Sequence, residues 1–366
     1  MDTNWVPPLD LDLPRWIRYA GLLGRGGQTF VIGADDIRRV GGTGDLVGPV
    51  AIKCYPRRLL VEDRRRFRVL REVINHRRLK HNHVVGFREV RLTRNYLLIV
   101  LEIVNGGNLK KVLKHGRLSE EEARWYFQQL VCGTDYCHRS KVLNRDISLE
   151  NILLDELDGI DGVLMRGCVR LCDFGLSRDE CSVELHSNIR PISAVGKVGY
   201  IAPEIIHRPA GAPRLGAEVL KKSDIFSLGV CLYKMLLGVD RWPLVDSNEG
   251  EMSPREIVEE LVNASRGPFE LVPGLRDVSA NDMSDECKDL LNRTLQRNSE
   301  NRIAMHEIWE HQWFKEGLPP RIREYNDEVT AEEFARQHMR GVQSEEEVTE
   351  RINAGADFSV ENDCWY

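Results

Sequence analysis

Three short stretches carry side chains whose types and spacing suit the transfer of a charged group. Asn144-Arg145-Asp146-Ile147-Ser148-Leu149-Glu150-Asn151 sets an amide five residues after an aspartate. Cys172-Asp173-Phe174-Gly175 adds a second aspartate, and Ala202-Pro203-Glu204 follows. Each stretch is common by chance, but their order and spacing together are not. Asp146 supplies one base, while Asn151 and Asp173 supply two oxygen ligands suited to Mg2+. Magnesium that bridges nucleotide phosphates needs few protein carboxylates, because the phosphates fill the remaining positions.

Two further signals lie upstream. Gly24-Arg25-Gly26 stands between strand-like runs, where missing Cβ atoms let backbone N–H groups approach a phosphate. Taken alone, a plain hairpin explains it equally well. Val50-Ala51-Ile52-Lys53 then sets a lysine in an apolar strand, where burial is costly without an anionic partner. Glu72 is the candidate partner, and a lysine snorkelling to the surface is the alternative.

The elements needed to position these residues are legible in outline. Trp16–Leu23, Thr29–Gly33, Val47–Cys54, Val84–Leu92 and Tyr96–Val104 read as strands, with Gly41-Gly42-Thr43-Gly44 as a hairpin loop. Residues 59–80 form a basic amphipathic helix that carries Leu70, Val73 and Ile74 on one face and Arg64-Arg65-Arg66 on another. After Asn105-Gly106-Gly107 the pattern turns helical. Ser119-Glu120-Glu121-Glu122 is a capping box opening a long helix, and further helical patterns cover 222–238, 254–264, 284–295 and 304–314. From Arg321 to Tyr366 there are twelve acidic residues against five basic ones, a balance of −7. Thr330-Ala331-Glu332-Glu333 and Ser344-Glu345-Glu346-Glu347 each read as the start of a short helix. The tail is read either as a solvated acidic appendage or as a segment that docks on the basic helix around Arg64-Arg65-Arg66.

Composition narrows the classes. The 366 residues hold 51 Lys plus Arg against 57 Asp plus Glu, a net charge of −6, so the chain as a whole is no electrostatic nucleic-acid binder. The best apolar run, Tyr96–Val104, falls far short of the ~20 residues a bilayer demands. The amino terminus shows no signal peptide and no myristoylation glycine, and Cys364 is misplaced for prenylation. Nine cysteines without metal-ligand spacing point to a reduced, intracellular setting.

Taken in order from about residue 17 to 314, these motifs match the protein-kinase signature. Within that family the sequence resembles the plant osmotic-stress and abscisic-acid-activated SNF-related serine/threonine kinases. Arg71-Glu72-Val73-Ile74-Asn75-His76-Arg77, Phe87–Thr93, Phe127-Gln128-Gln129-Leu130, Leu185-His186-Ser187, Tyr200-Ile201-Ala202-Pro203-Glu204 and Trp313-Phe314 carry that likeness, as does the acidic extension. The resemblance implies an α+β bilobal kinase fold, with a small β-rich lobe over 17–104 and a larger helical lobe over 105–314. An N-terminal extension (1–16) and an acidic regulatory tail (315–366) flank it. It implies ATP and Mg2+ as cofactors. Leu23, Gly24, Arg25, Gly26, Gly27, Gln28, Thr29, Phe30 and Val31 would cover the phosphates, and Lys53, held by Glu72, would bind them. Ala51 and the gatekeeper Leu101 would border the adenine, with Glu102 to Val104 as hinge. Asp146 would act on the acceptor hydroxyl, Asn151 and Asp173 would hold Mg2+, Glu204 would pair with Arg302, and Asp224 would anchor the loop of Asp146.

This sequence departs from the pattern at several positions. Thr29 replaces the third glycine of the phosphate loop and Gln28 the aromatic at its tip; Asn144 replaces a histidine before Arg145-Asp146. Ser148 stands where the family carries a lysine, and Lys197 where it carries a threonine. In the family those two side chains meet, so hydroxyl and ammonium look exchanged; two unrelated losses are the alternative. Asn108 replaces a glutamate that often meets ribose or substrate, whereas Glu150 remains.

Two functional readings follow. The first is a serine/threonine kinase in stress signalling, acting on protein hydroxyls, switched through Ser193 with Arg145 as the phosphate partner, and served by an upstream kinase and a phosphatase. The second is a pseudokinase scaffold, with tyrosine specificity as a minor third option. The resemblance implies a monomer in the cytoplasm, and also the nucleus, with no nucleic-acid or membrane partner.

Overall fold

A computed structural model describes residues 5–39, 46–155, 167–180, 197, 199–206, 215–238, 283–336 and 343–357. The chain divides into two compact units, the first made of Met1–His81, Val85–Asn105 and Glu332–Tyr366, the second of Asn82–Val84 and Gly106–Ala331. The glycine cluster 41–44, the pattern at 254–264, the Leu185-His186-Ser187 motif and Ser193 all lie outside the described residues.

The first unit is built on a five-stranded antiparallel sheet in the order β1-β2-β3-β5-β4, with β1 Ile17–Gly26, β2 Thr29–Arg39, β3 Leu46–Pro56, β4 Phe87–Leu92 and β5 Tyr96–Glu102. Alternation sends Ile32, Ala34, Val50, Ile52, Cys54, Leu98 and Val100 into one buried cluster. Helix α1, Asp63–Arg77, buries Val69 and Val73 in a second cluster with Leu97 and Ile99. It is shorter than the 59–80 read from periodicity, because Arg57–Leu59 forms a separate 3-10 turn. Val84 also leaves the expected strand and bridges Leu171 within the second unit.

The tail rejoins this first unit. Its helix Glu345–Ala354 starts at the Ser344 capping box and buries Val348 and Ile352 completely against Leu60, Val69, Val73 and Leu97. Arg77 donates to the Gln343 carbonyl at 3.1 Å, and the Gln343 amide pairs with both backbone groups of Val90. Arg57, 2% exposed, donates to the carbonyls of Ala354, Gly355 and Asp357 at the end of that helix. The docking expected on Arg64-Arg65-Arg66 is therefore corrected in its physics. Arg65 pairs with Glu62 and Gln28, and Arg66 pairs with Asp63; the tail meets the basic helix instead through an apolar seam and through Arg77, which faces Gln343 and Glu345. Thr330 is corrected too: it lies inside the helix Ile322–Arg336 rather than at a start.

The second unit is helical. Among the described residues, α2 Leu109–Val112, α3 Glu120–Arg139, α4 Pro203–Ile206 and α5 Ala217–Leu237 are followed by α6 Asp285–Thr294, α7 Met305–Glu310 and α8 Gln312–Lys315. The Ser119 capping box opens α3 as its sequence requires. Phe127 and Leu130 of α3, Phe226 and Leu232 of α5, Leu291 of α6 and Trp313 of α8 share one core. Two short two-stranded antiparallel sheets, β7 Ile152–Asp155 with β8 Cys168–Leu171 and β6 Val142–Leu143 with β9 Arg178–Asp179, hold the loops that matter for chemistry. No described helix is long and apolar enough to cross a membrane.

Candidate active site

The candidate residues divide between the two units. In the first, β1 and β2 meet through the two-residue loop Gly27-Gln28, with Gly26 paired to Thr29 and Gly24 to Val31. Gly27 sits at φ +51, which a side chain would strain. Thr29, in the place of the third glycine, donates its hydroxyl to the Gly26 carbonyl at 3.0 Å and so braces the turn. The tip residue Gln28 accepts from Arg65 of α1. Leu23 lies on the exposed side of β1. The Phe30 ring packs on Trp5 and Tyr96, and the Arg25 guanidinium lies 5.2 Å from the Trp5 ring centre, so both side chains are committed to the N-terminal segment. Ala51 pairs with Leu101, and Val31 with Lys53. The Glu102 carboxylate accepts the Gly86 N–H at 2.9 Å, and Val104 is buried beyond it.

Lys53 and Glu72 meet. The ammonium donates to Glu72 Oε1 at 2.7 Å, and Glu72 is 6% exposed. Tyr55 donates to the other oxygen, Oε2, at 2.7 Å. Two residues apart on β3, Lys53 and Tyr55 point to the same face and share one carboxylate. Burial, together with the charge of Glu72, pushes the Tyr55 hydroxyl far above its usual range. The period of two along this strand is the sequence signal for Tyr55, which belongs to none of the motifs.

In the second unit the Asp146 loop is hung from α5. Asp224, fully buried, accepts the backbone N–H groups of Asn144 at 3.0 Å and Arg145 at 2.8 Å, and pairs with His138 of α3 at 2.9 Å. His138 had no sequence signal of its own. Asn144, in the place of the family histidine, accepts the Asp146 N–H with its side-chain oxygen at 3.0 Å. Arg145 and Asp173 both hold left-handed backbones, φ +68 and +61, a strain that ordinary residues avoid and functional loops retain.

Around Asp146 the side chains interlock. Asn151 Nδ2 donates to the Asp146 carboxylate at 2.8 Å and to its carbonyl at 2.9 Å. Lys197 donates to Ser148 Oγ and to Asn151 Oδ1, each at 2.9 Å. The exchanged hydroxyl and ammonium thus meet; the hydroxyl serves Lys197, and no bond from Ser148 to Asp146 accompanies it. Burial is the main force on Asp146 and pushes its carboxyl up to about 6, with the charge of Asp173 adding to it and Lys197 and Asn151 opposing. Glu150 goes the other way: burial would raise it, but Lys110 at 2.8 Å and the charge of Lys197 hold it below the usual carboxylate range. Asp173 Oδ1 accepts the Gly175 N–H at 3.1 Å. Asp173 and Asn151 present hard oxygen donors of the kind Mg2+ takes. Glu204 and Arg302 close a two-pronged pair at 2.7 and 2.9 Å.

A strand-built lysine–glutamate pair and a suspended aspartate loop define the class, and comparison with known proteins agrees. Residues 23–314 match the family described as protein kinase domain. Serine/threonine-protein kinase SAPK4 of Oryza sativa subsp. japonica is 38% identical over 276 residues, 75% of this chain and 67% of that protein. Serine/threonine-protein kinase SRK2G of Arabidopsis thaliana is 39% identical over 257 residues, 70% and 64% respectively. Serine/threonine-protein kinase SRK2F of Arabidopsis thaliana is 35% identical over 306 residues, 82% and 77%. The chain spans about two thirds of the length of the first and slightly less of the second. It belongs to the protein kinase family, in the SNF-related serine/threonine branch, and family membership brings ATP and Mg2+ with it in general terms.

Proposed function

We propose that this chain is an active protein serine/threonine kinase of stress signalling, transferring the γ-phosphate of ATP to hydroxyls of protein substrates. The observation that carries the reading is the interlocked loop in which Asn151 holds Asp146 and Lys197 stands beside it. In this reading Lys53, fixed by Glu72, binds the α- and β-phosphates, and the backbone of Gly24–Val31 covers them. The acceptor hydroxyl approaches through the small pocket that Asp146 and Lys197 share with Tyr200 and Ile201. Its oxygen forms the new bond to the γ-phosphorus as the bond to the β–γ bridging oxygen breaks, and its proton passes to Asp146. Lys197 faces the negative charge on the transferring group. The oxygens of Asn151 and Asp173 are those the family would use for Mg2+, which would neutralise phosphate charge.

We further propose a kinase domain over 17–314, a regulatory tail over 315–366, and a monomer acting in the cytoplasm and nucleus. Ser193, next to Ala194, is proposed as the switch, phosphorylated by an upstream kinase, reversed by a phosphatase and read by Arg145. Full activity of Ser193→Ala after treatment with an activating kinase would remove that switch. Purified chain with Mg-ATP and a degenerate peptide library tests the activity itself, against Asp146→Asn and Asp173→Ala. Each variant should lose at least a hundredfold, about 3 kcal/mol of transition-state stabilisation. Binding without any transfer in the wild type would favour the scaffold reading.

A further inference from the structure

Asn151 is locked in one orientation. Its Nδ2 faces two acceptors, the carbonyl and the carboxylate of Asp146, at 2.9 and 2.8 Å, so nitrogen must lie on that side. Its oxygen is thereby turned to Lys197, whose ammonium donates to it at 2.9 Å. The same ammonium is steadied by Ser148 Oγ at 2.9 Å, with Glu150 Oε2 at 3.8 Å. Ser148 is completely buried and Asn151 is 8% exposed, so the acceptors belong to a rigid loop.

An amide oxygen that accepts from an ammonium is a poor ligand for a divalent ion. Mg2+ at its usual 2.0–2.1 Å from Oδ1 would stand roughly 4 Å from Nζ, charge against like charge. Asp173, a carboxylate, carries no such conflict. The oxygen pair that the resemblance assigns to Mg2+ is therefore split in this chain.

We propose that the Lys197 ammonium takes the place of a metal ion at Asn151, so that the chain holds its nucleotide with a single Mg2+, at Asp173. This rests on the kinase reading above and changes its metal count. A cation tied to the backbone replaces an exchangeable one, and the dependence on Mg2+ loses its second step. Ser148 is the necessary companion, because a small hydroxyl leaves room for the lysine and gives it an acceptor.

The test counts metal ions directly. Full-length chain with a β,γ-imido ATP analogue is titrated with Mn2+, and bound manganese per bound nucleotide is read by electron paramagnetic resonance. One Mn2+ is expected for the wild type, and two for both Lys197→Thr and the double change Ser148→Lys with Lys197→Thr. The double change keeps a lysine in the loop, so it supplies the count even if Lys197→Thr is unstable. Two Mn2+ in the wild type, or one in all three proteins, overturns the proposal. Equilibrium dialysis of the same samples reports nucleotide binding separately. Its absence in the wild type would remove the kinase reading itself, and this proposal with it.

Discussion

Glu72 is shared: one carboxylate oxygen holds Lys53 and the other holds Tyr55, each at 2.7 Å. Lys53 is thus positioned by a partner that is itself fixed. Tyr55→Phe should cost about 1.5–3 kcal/mol of stability, since a hydrogen bond to a charged, buried oxygen is lost. Urea unfolding reads that cost. Nucleotide affinity should fall several-fold, and unchanged affinity would show that Lys53 alone sets the orientation of Glu72.

Ser148 and Lys197 should behave as one device. With magnesium equimolar to ATP, Lys197→Thr should lose activity steeply, because no cation then faces the transferring group. Adding Ser148→Lys should restore much of the loss, giving strong non-additivity in a double-mutant cycle. Additive losses would mean that the contact seen between them has no shared task.

Arg302 is buried to 1% exposure and makes two bonds to Glu204. Arg302→Met leaves that carboxylate, only partly open to water, without its partner, a change typically worth about 3–5 kcal/mol. Thermal unfolding should show a large fall in midpoint. Adding Glu204→Gln should recover part of it, since the stranded charge is then gone.

The tail should be insensitive to salt. Surface charge attraction is screened within about 8 Å at physiological ionic strength, but the contact here rests on the buried seam of Val348 and Ile352, with the long ion pair Arg77–Glu345 at 3.9 Å at its edge. Ile352→Ala should cost about 2–5 kcal/mol of stability. Protection of α1 amides from hydrogen exchange should survive high salt and fail in that variant. Loss of protection on adding salt to the unaltered protein would restore the charge-based picture.

The strands were legible because alternation is strong on a half-buried sheet, and the Ser119 and Ser344 boxes because capping chemistry is local. Thr330 carried the same box and misled, since its neighbours continue a helix already begun at Ile322. The 304–314 helix breaks at His311, whose backbone is extended, ψ 134, and whose ring meets Asp289; only the fold reveals that partner. In the tail, the count of carboxylates hid an i, i+4 apolar pair, Val348 and Ile352. Motif order gave the interlocked residues by resemblance. Tyr55 stood outside every motif but shares the strand's period of two with Lys53, whereas His138 needed coordinates.

Arg57 ties the carbonyls of Thr93 and Arg94 to those of residues 354, 355 and 357. During synthesis those partners are about 260 to 300 residues apart in time as well as in sequence. At the usual ribosomal rate of about 5–20 residues per second, the small unit waits roughly ten seconds to a minute for its last helix. Throughout that interval the apolar face of α1 that Val348 and Ile352 finally cover stands open. A nascent chain of this protein is therefore a candidate for chaperone holding at its first unit, long after that unit's sheet has emerged.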